Sequence, residues 1–178
     1  MTVQFNSLES VPHLNHHQGI HIGHPWPLGS SLTKRGVNFS VVAPLATRVE
    51  LLLFADGEAS EPERVVELDQ RYRSADHWHV EVEGLGLGCC YGYRVFGPLR
   101  PGGHGFNPSK VLLDPCARAI AGWRNYQRGG AVGAAPNTGH CLKGVVTERD
   151  HFDFSHAPRP RHSWNKSVIY ELHVGGFT

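Results

Sequence analysis

The sequence has no excess of either charge and no basic run or stripe. Seventeen Lys and Arg residues stand against sixteen Asp and Glu residues, so the 178-residue chain has a formal net charge of +1. Proteins that bind nucleic acid carry clustered positive charge, because they must neutralise phosphates. We therefore exclude a nucleic-acid partner and expect neutral or polar ligands.

Long hydrophobic runs and a secretory signal are also missing. No apolar run approaches the roughly 20 residues that span a bilayer. The N-terminal stretch MTVQFNSLES lacks the basic start and the apolar core of a signal peptide. We expect a cytoplasmic chain with no membrane partner.

The chain has few cysteines, and they show no pattern. The four are Cys89, Cys90, Cys116 and Cys141. No CxxC pair occurs, and two adjacent cysteines on a strand point to opposite faces, so no disulfide framework or metal cage is indicated. The Gly-rich stretch GLGLG, residues 84–88, lacks the GxGxxG motif and precedes a strand pattern rather than a helix, which excludes a phosphate cradle. We expect reduced thiols and no cofactor.

Histidine is plentiful near the N-terminus, at His13, His16, His17, His21 and His24. A metal site would need these side chains to be aligned, but glycine and proline residues among them break any helix, and no acidic or Cys partner joins them. A solvated loop is the better interpretation. We predict a loosely held arm over residues 1–27 and no metal site.

What the chain does contain is alternation with a period of two residues, interrupted by many of its 21 Gly and 12 Pro residues. Residues 36–54, GVNFSVVAPLATRVELLLF, are predicted to form two strands joined by a turn. Their inner faces would be Val37, Phe39, Val41, Val49, Leu51 and Leu53. On the other face of the second strand Leu52 and Phe54 are also apolar, more than a strand facing water needs. We therefore expect a cover for that face.

Two further strands show the same alternation. In HWHVEVEGL, Trp78 shares a face with Val80 and Val82, which predicts a core position; an exposed Trp platform for stacking a sugar is the alternative. In CCYGYRVFG, Tyr91 and Tyr93 point to the core and Arg94 points away from it. These patterns, with turn signals between them, favour an all-β domain.

The end of the chain has a different character. Residues 167–178, SVIYELHVGGFT, form a near-continuous apolar stretch, which is typical of a strand buried on both faces of a parallel sheet. Such a strand needs parallel neighbours and crossover helices, and the sequence supplies none. We predict the N-terminal part of something longer, in which residues 168–174 are disordered, docked on the β domain or paired between chains.

Several stretches, in order and spacing, closely resemble the N-terminal portion of isoamylase-type glycogen debranching enzymes of the alpha-amylase superfamily. They are PLGSS, GVNFSVVAPLATRVELLLF, WHVEVEGLGLGCCYGYRVFGP, GFNPSKVLLDPCARAI and SVIYELHVGGFT. The resemblance implies an immunoglobulin-like β-sandwich of carbohydrate-binding module class forty-eight over residues 28–115. A linking region over residues 116–166 and the first strand of an incomplete (β/α)8 barrel over residues 167–178 would follow.

The resemblance also implies roles for individual residues. Arg94 falls where glucan-gripping relatives place a Lys, so it is the candidate carbohydrate-binding residue, although the expected Trp after the second strand is missing. Leu52 and Phe54 would be an interdomain docking surface for the catalytic barrel. Retaining hydrolysis needs two carboxylates about 5 to 5.5 Å apart, which the family carries on later barrel strands. We therefore assign no catalytic residue here and expect weak or absent glucan binding.

Several functions stay open. The leading one is the N-terminal module of an alpha-1,6-glucan debranching hydrolase of glycogen or starch, which supports or docks the barrel and is catalytically silent by itself. A branching enzyme or a maltooligosyl-trehalose hydrolase would carry a similar module. A stand-alone glucan-binding or scaffolding module, and a sandwich used only for protein contacts, are the alternatives from other classes.

Overall fold

Ten β-strands carry the fold within the residues that the structure describes, which are 19–98, 105–148, 154–157 and 159–177. The strands of this computed structural model are β1 Ile20–His21, β2 Gly29–Leu32, β3 Gly36–Val42, β4 Arg48–Phe54, β5 Arg64–Leu68, β6 Arg73–Ser74, β7 His77–Glu83, β8 Cys90–Phe96, β9 Ala119–Ala121 and β10 Lys143–Val145. Short 3-10 helices lie at Gln70–Tyr72, Arg128–Ala131, Thr138–His140, Phe154–His156 and Trp164–Lys166, and a single α-helical turn, α1, spans Val174–Phe177.

The strands form two antiparallel sheets. The first sheet has the order β1-β7-β3-β2, with β6 also paired to β7, and the second has the order β5-β4-β8-β10-β9. Short connections join β2 to β3 and β6 to β7, which suits antiparallel pairing. The prediction of an all-β sandwich is confirmed.

The core lies between the inner faces of the two sheets. Phe39 of the first sheet meets Tyr91 of the second, with ring centroids 4.9 Å apart in an edge-to-face arrangement. Trp78 is fully buried and its Nε1–H donates to the carbonyl of Ala43 at 3.0 Å, so the alternative of an exposed Trp platform at this position is wrong. Burial of each such large side chain stabilises the fold by about 1.5 to 3 kcal/mol.

From residue 19 onward the structure differs from the predicted loose arm. Ile20 lies opposite Val82, which makes β1 part of the first sheet. The Asn38 side chain accepts from the backbone N–H of His24 at 2.7 Å and donates to its carbonyl at 3.0 Å. The Ser40 hydroxyl donates to the carbonyl of Pro25 at 2.8 Å. Buried polar side chains of β3 therefore hold this segment in place. The sequence of the arm alone does not show these hydrogen bonds, because their partners lie in β3.

The second sheet continues past the boundary predicted at residue 115. Within the region interpreted as a link, β10 pairs with β8, placing Gly144 opposite Tyr91, and β9 pairs with β10. Both strands have only three residues, too few for a recognisable period. Their partners lie far away in the sequence, so the pairing becomes visible only in the folded chain.

The predicted barrel strand is not formed. Residues 167–173 have no regular secondary structure and residues 174–177 form one helical turn. Val168, Ile169 and Tyr170 are largely exposed, so this segment does not dock on the sandwich. Among the described residues nothing pairs with it, and a parallel strand without neighbours leaves its backbone groups without partners. Within all the residues that the structure describes, no helix is long and apolar enough to cross a membrane.

Candidate functional site

Arg94 lies on the outer face of the second sheet, opposite Glu50 of β4. Its Nη1 donates to Glu50 Oε2 at 3.1 Å, and Arg48 Nη2 lies 3.3 Å from the other oxygen of the same carboxylate. The outward orientation expected from the alternation is confirmed, whereas the role of Arg94 in binding carbohydrate stays a prediction. The guanidinium is only partly exposed and already has a carboxylate partner, so a ligand would have to compete for it.

The surroundings of Arg94 offer little aromatic surface. The Arg48 guanidinium lies 3.7 Å from the ring centre of Phe96 and also contacts Glu67 at 3.2 Å. One face of the Phe96 ring is thus covered by a cation. The outer face around Arg94 therefore presents paired charges rather than an open ring on which a sugar could stack.

Leu52 and Phe54 are not on a docking surface. Both are fully buried in a second apolar cluster, together with Cys90, Val111 and Cys141. The cover that the sequence demanded comes from this chain, mainly from Val111 and Cys141 of the covering segment, residues 105–146, with Ala59 packed against the same cluster. The assignment of these two side chains to an interdomain contact is corrected: they are core residues beneath their own chain.

The covering segment is positioned by close packing and by one amide side chain. Val111 lies over Gly92, where an added Cβ would come within 2.8 Å of the Val111 Cγ1 atom. The Asn137 side chain accepts from the Val111 N–H at 2.7 Å and donates to the Val111 carbonyl at 3.0 Å. Asn137 thus takes the place of a neighbouring strand for Val111.

Two buried lysines also hold this segment. The Lys110 Nζ donates to the carbonyls of Gly130, Val132 and Ala135. The Lys143 Nζ donates to the carbonyl of Gly57 at 2.9 Å. Each ammonium is desolvated and makes hydrogen bonds to backbone oxygens, as buried charges require. These lysines organise loops and do not present a free charge to a ligand.

An apolar groove of about 310 Å³ opens at one end of the sandwich. Its walls come from the β3–β4 turn, from β8 and from residues 106–115. The residues at its rim, Val42, Leu45 and Leu112, are about half exposed. Tyr93 lines the groove, and its buried hydroxyl has no hydrogen-bond partner in the described part of the chain. The groove is thus an apolar surface beside the β3–β4 turn that is open to solvent in the described part of the chain.

A second surface was missed by sequence reasoning. Trp123 and Tyr126 lie side by side with ring centroids 5.8 Å apart and ring planes at 75°, and both are exposed. Tyr126 also borders a cavity of about 250 Å³, together with Gln127, Asn137 and His140. Both residues lie within residues 116–166, the region interpreted from the sequence as a link. Two aromatic residues within four positions of each other were the available signal.

Several titratable groups in the described part of the chain are buried in its core. The Tyr91 hydroxyl donates to Asp114 Oδ2 at 2.8 Å in the core, and burial raises the pKa of Asp114. Burial also raises the pKa of the Cys89 thiol to about 12 and that of Cys90 to about 11, so neither is a thiolate at neutral pH. These are structural groups.

No group of three or more potential metal ligands comes together among the described residues. His21 instead contacts Glu83 at 3.1 Å across the edge of the first sheet. His24 holds Asn38 through its backbone. The other three histidines of the N-terminal group, His13, His16 and His17, lie outside the described residues.

Residues 27–117, about half of the chain, match the family Carbohydrate-binding module 48 (Isoamylase N-terminal domain). The chain belongs to this family. Membership agrees with the resemblance noted in the sequence and with the two-sheet architecture. The module 48 match ends before β9 and β10, so the segment that covers Leu52 and Phe54 lies mostly beyond it.

Curated relatives extend the similarity past the module. A glycogen debranching enzyme of Klebsiella pneumoniae is 40% identical over 169 residues, which cover 88% of this chain and 24% of that protein. A glycogen debranching enzyme of Pectobacterium atrosepticum is 38% identical over 161 residues, with the same coverage. The chain thus spans about a quarter of the length of these relatives.

The solved structures that match this chain are more distant in sequence. A pullulanase from Bacillus acidopullulyticus has a TM-score of 0.45 and 23% identity over 68% of this chain and 12% of its own. A multi-modular glycogen-degrading pneumococcal virulence factor, SpuA, has a TM-score of 0.48 and 16% identity over 71% of this chain and 12% of its own. Membership of the module 48 family depends on neither of them.

Proposed function

We propose that this chain is the N-terminal module of a cytoplasmic alpha-1,6-glucan debranching hydrolase that acts on glycogen or starch. One observation carries the proposal: similarity to glycogen debranching enzymes covers 88% of the chain, well beyond the residues that match the module family. A module that moves between unrelated proteins would lose similarity at its own boundary. Similarity that continues through the linking region favours a debranching enzyme over a stand-alone module.

The module's task in this proposal is support of a catalytic barrel. Retaining hydrolysis requires a nucleophilic carboxylate and a carboxylic acid about 5 to 5.5 Å apart, and we assign both to that barrel. Residues 167–178 would be its first strand. The exposure of Val168, Ile169 and Tyr170 supports this assignment, since a run of exposed apolar side chains is typical of a surface that a further domain covers.

Since Leu52 and Phe54 are covered, another surface must meet the barrel. We assign this role to the apolar groove, whose rim residues Val42, Leu45 and Leu112 are exposed. The relatives are about four times as long as this chain, so a large further domain is the occupant that the proposal commits to.

Glucan contact at Arg94 is a secondary part of the proposal. The Glu50 partner and the cation that covers one face of the neighbouring Phe96 ring favour weak binding there. A stand-alone glucan-binding or scaffolding module is the second candidate, and the exposed rings of Trp123 and Tyr126 are the observation that favours it.

Two measurements test the proposal. The purified 178-residue chain is incubated with glycogen and reducing ends are counted; we expect no release above buffer, and release would assign catalysis to this chain. The coding frame is then read past Thr178. Acidic residues on later barrel strands are expected, and a stop codon would favour the stand-alone module.

A further inference from the structure

Trp123 and Tyr126 form an exposed aromatic corner outside the residues that match the module family. Trp123 is 63% exposed and Tyr126 is 40% exposed. Two exposed rings side by side form one apolar surface, and a ring face is the surface on which the apolar face of a sugar stacks.

The loop that carries the two rings is held in place. Gly122 has φ of +99° and lies so close to the Gly57 carbonyl that a Cβ would come within 2.9 Å of that oxygen. The Asn125 side chain donates to the carbonyl of Glu58 at 3.3 Å, and the Gln127 N–H donates to the carbonyl of His140 at 3.1 Å. A loop fixed on both sides loses little conformational entropy when a ligand binds.

The adjoining cavity offers hydrogen-bonding groups without a free charge. His140 Nδ1 lies 3.3 Å from the carbonyl of Asn125, which can only accept, so Nδ1 donates to it and Nε2 is left for a ligand. Gln127 and Tyr126 add an amide and a hydroxyl. The Lys110 ammonium is already bound by three carbonyls, and no carboxylate lines the described part of the cavity.

We propose that Trp123, Tyr126 and this cavity form a carbohydrate-binding site that is separate from Arg94 and takes a short stretch of an α-1,4-linked glucan. The ligand class rests on the proposed function. Stacking would come from the rings, and the sugar hydroxyls would bond to Gln127 and His140. An uncharged ligand with an apolar face and several hydroxyls matches this combination.

The angle between the rings selects for a curved chain. Ring planes that meet at 75° cannot both lie flat on one straight, ribbon-like oligosaccharide such as a β-1,4-linked glucan. Successive residues of an α-1,4-linked chain turn relative to one another, so neighbouring glucose units face in different directions. The site therefore discriminates by shape between two polymers of the same sugar.

The test uses the 178-residue chain labelled with ¹⁵N and follows the indole N–H signals during titration with maltoheptaose and, separately, with cellohexaose. We expect the Trp123 signal to shift with maltoheptaose at millimolar concentration and not with cellohexaose. Trp123→Ala and Tyr126→Ala should each weaken maltoheptaose binding about tenfold, the loss of one stacking contact.

Trp26→Ala is the matched control, because Trp26 is also 63% exposed and lies beside the first sheet rather than the second. It should bind maltoheptaose like the parent chain. Unchanged binding in both Trp123→Ala and Tyr126→Ala, or a Trp123 signal that does not move, overturns the site. Equal shifts with cellohexaose overturn its selectivity.

Failure of the site and failure of the proposed function are distinguishable. Arg94→Ala reports on the other surface: if it abolishes binding while Trp123→Ala does not, glucan binds only at Arg94 and the inference is wrong. The debranching proposal is decided instead by the coding frame. A stop codon with an intact Trp123 response would leave this site standing in a stand-alone module.

Discussion

The ammonium group of Lys143 lies 4.8 Å from the ring centre of Phe54 and donates a hydrogen bond to the carbonyl of Gly57. This contact joins β10 to β4 across the covering segment. It places a cation over the aromatic ring that, from the strand pattern, was expected to meet another domain. The outer face of the second sheet is thereby completed within the chain, at least over Leu52 and Phe54.

Loss of the Lys143 contact should destabilise the sandwich. Lys143→Ala leaves the Gly57 carbonyl without its donor and opens a space beside Phe54, so we expect the free energy of unfolding to fall by about 2 to 4 kcal/mol. Urea denaturation followed by circular dichroism measures it. Lys166→Ala removes an exposed lysine and should change the same quantity by less than about 0.5 kcal/mol. Equal losses in both variants would contradict the role given to Lys143.

The pairing of Asn137 with Val111 makes a second prediction. Asn137→Ala removes both the acceptor and the donor that serve the buried Val111 backbone, and we expect a loss of about 2 kcal/mol. Amide hydrogen exchange should show the Val111 N–H losing protection. Asn165→Ala, at an exposed position, is the control. A Val111 amide that stays protected in Asn137→Ala would show that another group supports it.

The Glu81 carboxylate predicts a pH dependence. Hydrogen bonds from Thr33 at 2.6 Å and from Arg35 at 2.7 Å hold the pKa of Glu81 below its ordinary value of 4.5. A carboxyl whose folded-state pKa is lowered adds stability above the unfolded value, and that stability is lost as the pH falls through the folded value.

Thermal unfolding of the parent chain and of Glu81→Gln should therefore differ most at pH 6. The difference in Tm should shrink as the pH falls from 4.5 through the lower folded-state pKa of Glu81, because below that pKa both chains are uncharged at this position. Glu171→Gln, at an exposed position, should show no such trend. A Tm difference that stays constant from pH 6 to pH 3 would refute the ionic contribution.

One of the four cysteines should react rapidly with a thiol reagent, and the other three should be protected by burial. Cys116 is exposed, whereas Cys89, Cys90 and Cys141 are buried, and burial raises the pKa of all three buried thiols. In the native chain we expect one rapid reaction with a disulfide reagent at pH 8, and three more after addition of denaturant. Cys116→Ser should abolish the rapid reaction. Fast modification of that variant would mean that a buried thiol is open to solvent.

The strand pattern predicted much of the sandwich. The alternation in residues 36–54 placed Val37 and Phe39 on the core side, and the alternation around Trp78 did the same for β7; both are confirmed. These predictions succeeded because a residue's face in a strand depends on its position within a few residues. The outward orientation of Arg94 followed from the same rule.

The cover of the second sheet could not be found this way. Leu52 showed that something must lie on the outer face, but Val111 and Cys141 are 59 and 89 positions further along the chain. The strands β9 and β10 have three residues each, too few for a sequence pattern that would predict their pairing. The aromatic corner of Trp123 and Tyr126 was hidden for a similar reason, since its loop is ordered by Glu58 and His140 and not by its own neighbours.

By itself the sequence determined the all-β class, the inner faces of the long strands and, through its motifs, the family, because each of these is written in local spacing or in residues met in order. Only the tertiary structure decided that Leu52 and Phe54 are core residues and that β9 and β10 extend the second sheet. It also decided that the exposed rings of Trp123 and Tyr126 lie beside a polar cavity. Those features depend on contacts between distant segments, whose geometry exists only once the chain has closed its two sheets around one core.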